Sequence, residues 1–121
     1  MQIGHSPLLS AVMYKFKSKA AADVIMLDAS AQHLLRIIGK DDTADFVKGI
    51  LLPADMPGAI NALEKAVAHE EAERAQKAKE ALARGETPAR VEGVTLRQRT
   101  TPFIAMLERC HKADKDIVWG V

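Results

Sequence analysis

Chemistry in this chain would have to come from four places. The single thiol, Cys110, is followed by His111, the pairing a nucleophilic cysteine would need. Adjacent helical side chains diverge by about 100°, so the two cannot face each other on a helix. Cys110 also continues an apolar stripe, which makes it a core residue. The histidines His5, His33, His69 and His111 are scattered, with no spacing that gathers metal ligands. Asp41, Asp42 and Asp45 lack the glycine and terminal glutamate of an EF-hand, and suit capping of a short turn better. Arg97, Arg99, Thr100 and Thr101 stand at a helix start, where free N–H groups and the helix dipole attract anions. Lys40 could join them. Against this, Thr95 and Gln98 can satisfy those donors, and no Gly-rich phosphate loop accompanies them.

A fifth feature looks like a nucleic-acid platform. Tyr14 and Phe16 interleave with Lys15, Lys17 and Lys19. In a strand this alternation sends rings and charges to opposite faces, whereas a stacking surface needs them side by side. Tyr14 and Phe16 are therefore expected in the core, and nucleic acid is not an expected partner. The formal net charge of +1 adds no drive toward polyanions.

The elements that position these residues follow from periodicity. The pattern predicts strands over 13–19, 23–27 and 116–121, with helices over 30–38, 55–84 and 95–113. The last strand carries the single Trp in Asp116-Ile117-Val118-Trp119-Gly120-Val121. An apolar run of this kind must be paired in a sheet and covered, so the fold is expected to close on it. Val24-Ile25-Met26-Leu27 is apolar throughout and reads as a strand covered on both faces. Asp28 or Ser30 can cap the first helix, and Gly39 can end it in a left-handed turn. Asp41–Asp45 suggests a single turn running through Phe46 and Val47. Ile50-Leu51-Leu52 fits either an edge strand or a connector.

The second helix would be about 45 Å long. Asp55 is its expected cap. Its first half carries the stripe Met56, Ile60, Leu63 and Val67. Its second half is charged and Ala-rich, with Glu70–Arg74, Glu73–Lys77 and Glu80–Arg84 spaced for ion pairs. This half reads as a solvated projection and as the best candidate contact surface. The third helix starts at a Thr95/Gln98 capping box, and Pro102 either kinks it or restarts it. The expected core is Tyr14, Phe16, Ile25, Leu27, Leu34, Leu35, Ile38, Ile60, Leu63, Val67, Phe103, Leu107, Cys110, Val118 and Trp119.

The 121 residues fit one domain, here 13–121, with residues 1–12 read as a disordered or non-native extension because strand patterning begins at Met13. Hydrophobic content of 48% with only 4% aromatic residues demands an aliphatic core. One cysteine allows no internal disulfide, which suits a reducing cytoplasm. No apolar run approaches a membrane span. The class is α+β: a small sheet with three main helices. Two core helices and half of a third leave one sheet face open, so a homodimer burying that face is expected.

Several blocks together resemble a known family. They are Tyr14-Lys15-Phe16-Lys17-Ser18-Lys19-Ala20, Val24-Ile25-Met26-Leu27, Leu35-Arg36-Ile37-Ile38-Gly39-Lys40, Met56-Pro57, Leu96-Arg97-Gln98-Arg99, Met106-Leu107 and Val118-Trp119-Gly120-Val121. Their order from Met13 to Val121 is similar to that of the domain-of-unknown-function 1840 family of small bacterial proteins. The resemblance implies a start near Met13 and brings no activity, substrate or cofactor. The function expected from the residues is non-enzymatic: a small cytoplasmic protein acting by protein–protein interaction or self-association, with no cofactor, metal or membrane partner. The contrasting expectation is an anion-, nucleotide- or nucleic-acid-binding module built on Arg97, Arg99 and Lys40.

Overall fold

A computed structural model of the chain describes residues 13–90 and 93–121; the extension expected over 1–12 lies outside them. The elements are β1 (Met13–Phe16), β2 (Val24–Leu27), α1 (Asp28–Ile37), α2 (Thr43–Val47), β3 (Gly49–Leu51), α3 (Met56–Ala83), α4 (Leu96–Ala113) and β4 (Ile117–Trp119). A 3-10 turn, Pro53–Asp55, leads into α3. The class is α+β, as expected.

The sheet differs from the expected three strands. Two antiparallel pairs form: β1 with β2, from Met13 opposite Leu27 to Phe16 opposite Val24, and β3 with β4, from Gly49 opposite Trp119 to Leu51 opposite Ile117. Lys17 and Val118 exchange backbone hydrogen bonds of 2.8 and 2.9 Å, which joins the pairs. The order across the layer is β2, β1, β4, β3, so the Trp-bearing strand is interior. Ile50-Leu51-Leu52 resolves as part of an edge strand because β4 supplies its partner.

Side chains alternate across these strands. Phe16, Leu51, Ile117 and Trp119 point inward and join one core with Leu34, Leu35, Leu63, Phe103, Leu107 and Cys110. Phe16 sits at its centre, with ring centroids 4.9 Å from Phe103 and 5.6 Å from Trp119. Ile25 and Leu27 depart from expectation. They are 52% and 59% exposed, while their neighbours Val24 and Met26 turn toward the helices. Strand β2 is therefore covered on one face only. Tyr14, Ile38 and Ile60 sit at the margin of the core, half-buried, whereas Val118, expected in the core, lies between the inward Ile117 and Trp119 and so turns to the other face beside Ile50.

Helix α1 begins directly after β2. Its cap position is Leu27, without a side-chain cap, so neither Asp28 nor Ser30 caps it. Asp28 instead accepts a 2.7 Å hydrogen bond from Gln32 one turn on. The helix ends as expected, with Gly39 at φ 89°, its N–H on the Arg36 carbonyl and that of Lys40 on Leu35. Asp42 caps α2 through the Ala44 N–H. Asp55 makes no side-chain cap at α3, because the preceding 3-10 turn already carries the chain in with helical geometry.

Helix α3 has 28 residues and buries Met56, Ala59, Leu63 and Val67 along its first half. Of the expected pairs on its second half, Glu70–Arg74 forms at 2.7 Å. Glu73 is met by His69 rather than Lys77, and Glu80 accepts from Gln76 while Arg84 turns to Glu86. Helix α4 packs antiparallel along α3 as one unbroken helix that includes Pro102. Its capping box is complete: the Thr95 N–H donates to Gln98 Oε1 (2.9 Å) and the Gln98 N–H to Thr95 Oγ1 (3.2 Å). No described helix is long and apolar enough to cross a membrane.

Candidate functional site

Of the residues expected to bind an anion, Arg97 already has a partner. Arg97 holds Glu71 of α3 in a two-point grip, Nε to Oε2 at 2.6 Å and Nη2 to Oε1 at 2.8 Å. The backbone N–H of Leu96 donates to Glu70 Oε1 at 3.3 Å. Two carboxylates from α3 thus occupy the place where a bound anion would sit at the α4 N-terminus. The hydrogen bond from Arg97 is the main reason the Glu71 carboxyl is held below the usual range, outweighing the opposing effect of burial, with the Arg97 and Arg74 charges adding to it. The same contact, from the other side, raises Arg97. Arg99 is half-buried on α4, and Lys40 follows the far end of α1; among the described residues no hydrogen bond or ion pair joins either to Arg97. The hollow beside Arg97 is about 240 Å³ and is lined by Glu64, Val67, Thr100, Thr101 and Ile104, below the usual size of a ligand pocket.

The remaining chemical candidates are equally dispersed. Cys110 is fully buried and His111 exposed. His33 lies on α1 and His69 on α3, while His5 is outside the described residues. Among the described residues no group of three or more His, Cys, Asp or Glu could hold a metal ion. Asp42 caps α2. The Tyr14 hydroxyl donates to the Phe46 carbonyl, and the Trp119 indole N–H donates to the Asp45 carbonyl at 2.6 Å. The last carbonyls of a helix lack intrahelical partners, and here two aromatic side chains supply them for α2. Tyr14 and Phe16 turn inward, leaving Lys15 on the opposite side of β1.

The feature that does stand out is that opposite side. Residues paired across the strands share a face: Met13 with Leu27, Lys15 with Ile25, and Ile50 with Val118. Lys17, opposite Val118, extends it. No described element covers this face. Nine large hydrophobic residues are exposed among the described residues, and only Leu82 and Val94 lie on the α3–α4 side of the molecule. The other seven are Met13, Ile25, Leu27, Val47, Ile50, Leu52 and Val121. A groove of about 740 Å³ runs beside β1, lined by Met13, Tyr14, Phe46, Val47 and Val121 with Lys15, Lys17, Asp28 and Gln32. The sequence signal for this surface was the unbroken apolar run of β2, which equips both of its faces for burial when helices cover one.

A family model described as Domain of unknown function (DUF1840) matches residues 12–119. No curated protein and no solved structure matches the chain.

Proposed function

From the premise that the chain belongs to the DUF1840 family, whose description assigns no activity, we propose a non-enzymatic binding protein. Its working surface is the uncovered face of the β2–β1–β4–β3 layer. One observation carries this reading: Ile25, Leu27 and Met13 stand 48–59% exposed, side by side, on a face no described element covers. Exposed apolar patches larger than about 300–600 Å² mark interaction sites in soluble proteins. The charged half of α3, the surface favoured on sequence grounds, has Leu82 as its only exposed large hydrophobic residue and offers little to hold a partner. The reading keeps the protein in the bacterial cytoplasm, where its thiol stays reduced.

The alternative, anion or nucleotide binding through Arg97, Arg99 and Lys40, has less support. A ligand would have to displace Glu71 from Arg97 and Glu70 from the helix start. A photo-reactive residue placed at Ile25 in the expressed protein tests the binding reading, with the same residue at Leu82 as control. Covalent adducts are expected at position 25 and not at 82. Absence of adducts at position 25, or equal yields at both, contradicts it.

A further inference from the structure

We propose that the occupant of the uncovered sheet face is a second copy of this chain, stacked face to face; the inference rests on the binding reading above and names its partner. Area is the first argument. Met13, Ile25, Leu27 and Ile50, which the register puts on one face, leave on the order of 400 Å² of apolar surface from their fractional exposures, and Val47, Leu52 and Val121 at its margins bring the strand side to about 700 Å². A standard stable interface takes about 800 Å² from each partner. With the stems of Lys15 and Lys17 between them, the strand side reaches that size from one copy. Two sheets stacked in this way pack about 10 Å apart, with their outward side chains interdigitating.

The patch is contiguous rather than scattered. Leu27 and Met13 are cross-strand partners, and Ile25 lies on the same face two residues from Leu27. Met13, Val47 and Val121 line one groove. Val118 links that side to Ile50 on β3.

Charge is the second argument, and it selects the partner. The middle of the face carries Lys15 and Lys17. Both signs border it: Asp28 shares the groove with both lysines, and Asp23, Asp114 and Asp116 share a second cleft with Lys17, Lys19 and Lys115. A polyanion would meet as many carboxylates as ammonium groups there, so the face has no net charge to draw it. A second copy related by a two-fold axis brings its own aspartates toward these lysines, and its lysines toward these aspartates. A two-fold interface uses one patch on both partners and must be complementary to itself. A face with apolar strand positions and both charge signs meets that condition.

The test is sedimentation equilibrium on the full chain, with Ile25→Lys and Ile50→Lys variants, which alter opposite edges of the face, and Leu82→Lys as control. The expected mass at about 100 μM is twice 13.2 kDa. Each face variant should fall to the monomer mass with its circular dichroism and a cooperative melt retained, since neither side chain is buried within the single chain. Leu82→Lys should leave the doubled mass unchanged. A monomeric wild type at this concentration overturns the inference. So does a dimer that survives both face variants. If wild type is monomeric while position 25 still crosslinks to another protein, or to residues 1–12 of its own chain, that molecule is the occupant. The dimer then fails, and in the first case the binding reading stands.

Discussion

Replacing Trp119 by alanine tests how the C-terminal strand holds the domain together. The indole is fully buried, packs on Phe16, and donates to the Asp45 carbonyl. Truncating a buried Trp to Ala typically costs about 3–5 kcal/mol, through lost transfer energy and the cavity left behind. Against a total stability of about 5–15 kcal/mol, this is a large fraction. A second variant separates the two contributions. Trp119→Phe keeps most of the ring but removes the donor, leaving the Asp45 carbonyl short of a partner at a cost of about 1–3 kcal/mol. Urea unfolding followed by far-ultraviolet circular dichroism measures both, since the variants lack the fluorescent residue. The midpoint should move with the slope unchanged. The Ala variant should also melt at least 10 °C lower, taking about 4–8 °C per kcal/mol for a domain near this size. A loss below about 1 kcal/mol for Trp119→Ala would refute the placement of β4 inside the sheet. No difference between Trp119→Phe and wild type would refute the anchoring role given to the indole N–H.

Two glycines should resist substitution on related grounds. A Cβ at Gly49 would enter the Trp119 ring, and one at Gly120, where φ is 78°, would meet the Val47 carbonyl oxygen. Gly49→Ala is expected to cost about 1–3 kcal/mol by overpacking, and Gly120→Ala at least as much because strain adds to the clash, both read from urea midpoints. Pro102→Ala should stabilise by about 1 kcal/mol or more, because the new N–H can complete the helix ladder at Gln98; a lower melting temperature would contradict this. For Glu71 the folded carboxyl titrates below its unfolded value, so its contribution is present above the ordinary carboxylate range and is lost as pH falls through the folded value. Carbon-13 NMR titration should find the Glu71 carboxyl below the ordinary glutamate range, and Arg97→Gln should return it toward that range.

Local signals were legible in part: neither Asp28 nor Ser30 caps α1 and Asp55 makes no side-chain cap on α3, but other ends follow their own residues. The Thr95/Gln98 capping box, the Gly39 ending of α1 and the Asp42 cap on α2 are decided by residues within a few positions of one another. The stripes of α1, α3 and α4 needed only helical spacing. The remaining differences involve choices made elsewhere in the molecule. Ile25 and Leu27 are as apolar as Val24 and Met26, so the run itself does not say which pair faces the helices; the pairing with β1 decides. Ile50-Leu51-Leu52 is too short for periodicity, and it becomes a strand because the Trp-bearing segment lies beside it. The ion pairs of the long helix were placed by spacing alone, yet exposed side chains choose among several partners, and Glu73 and Glu80 found others. Glu71 and Arg97 stand 26 positions apart, and their contact exists only because α4 folds back along α3. That contact engages the arginine at the centre of the most reactive-looking cluster in the sequence.

The most direct test of that surface is a concentration series of methyl-resolved NMR spectra on the full chain. Ile25, Leu27 and Ile50 should shift progressively with concentration, while the interior methyls of Leu34, Leu63 and Leu107 hold still. Shifts confined to Leu82 and the charged half of the long helix, or no concentration dependence at all, would contradict the account.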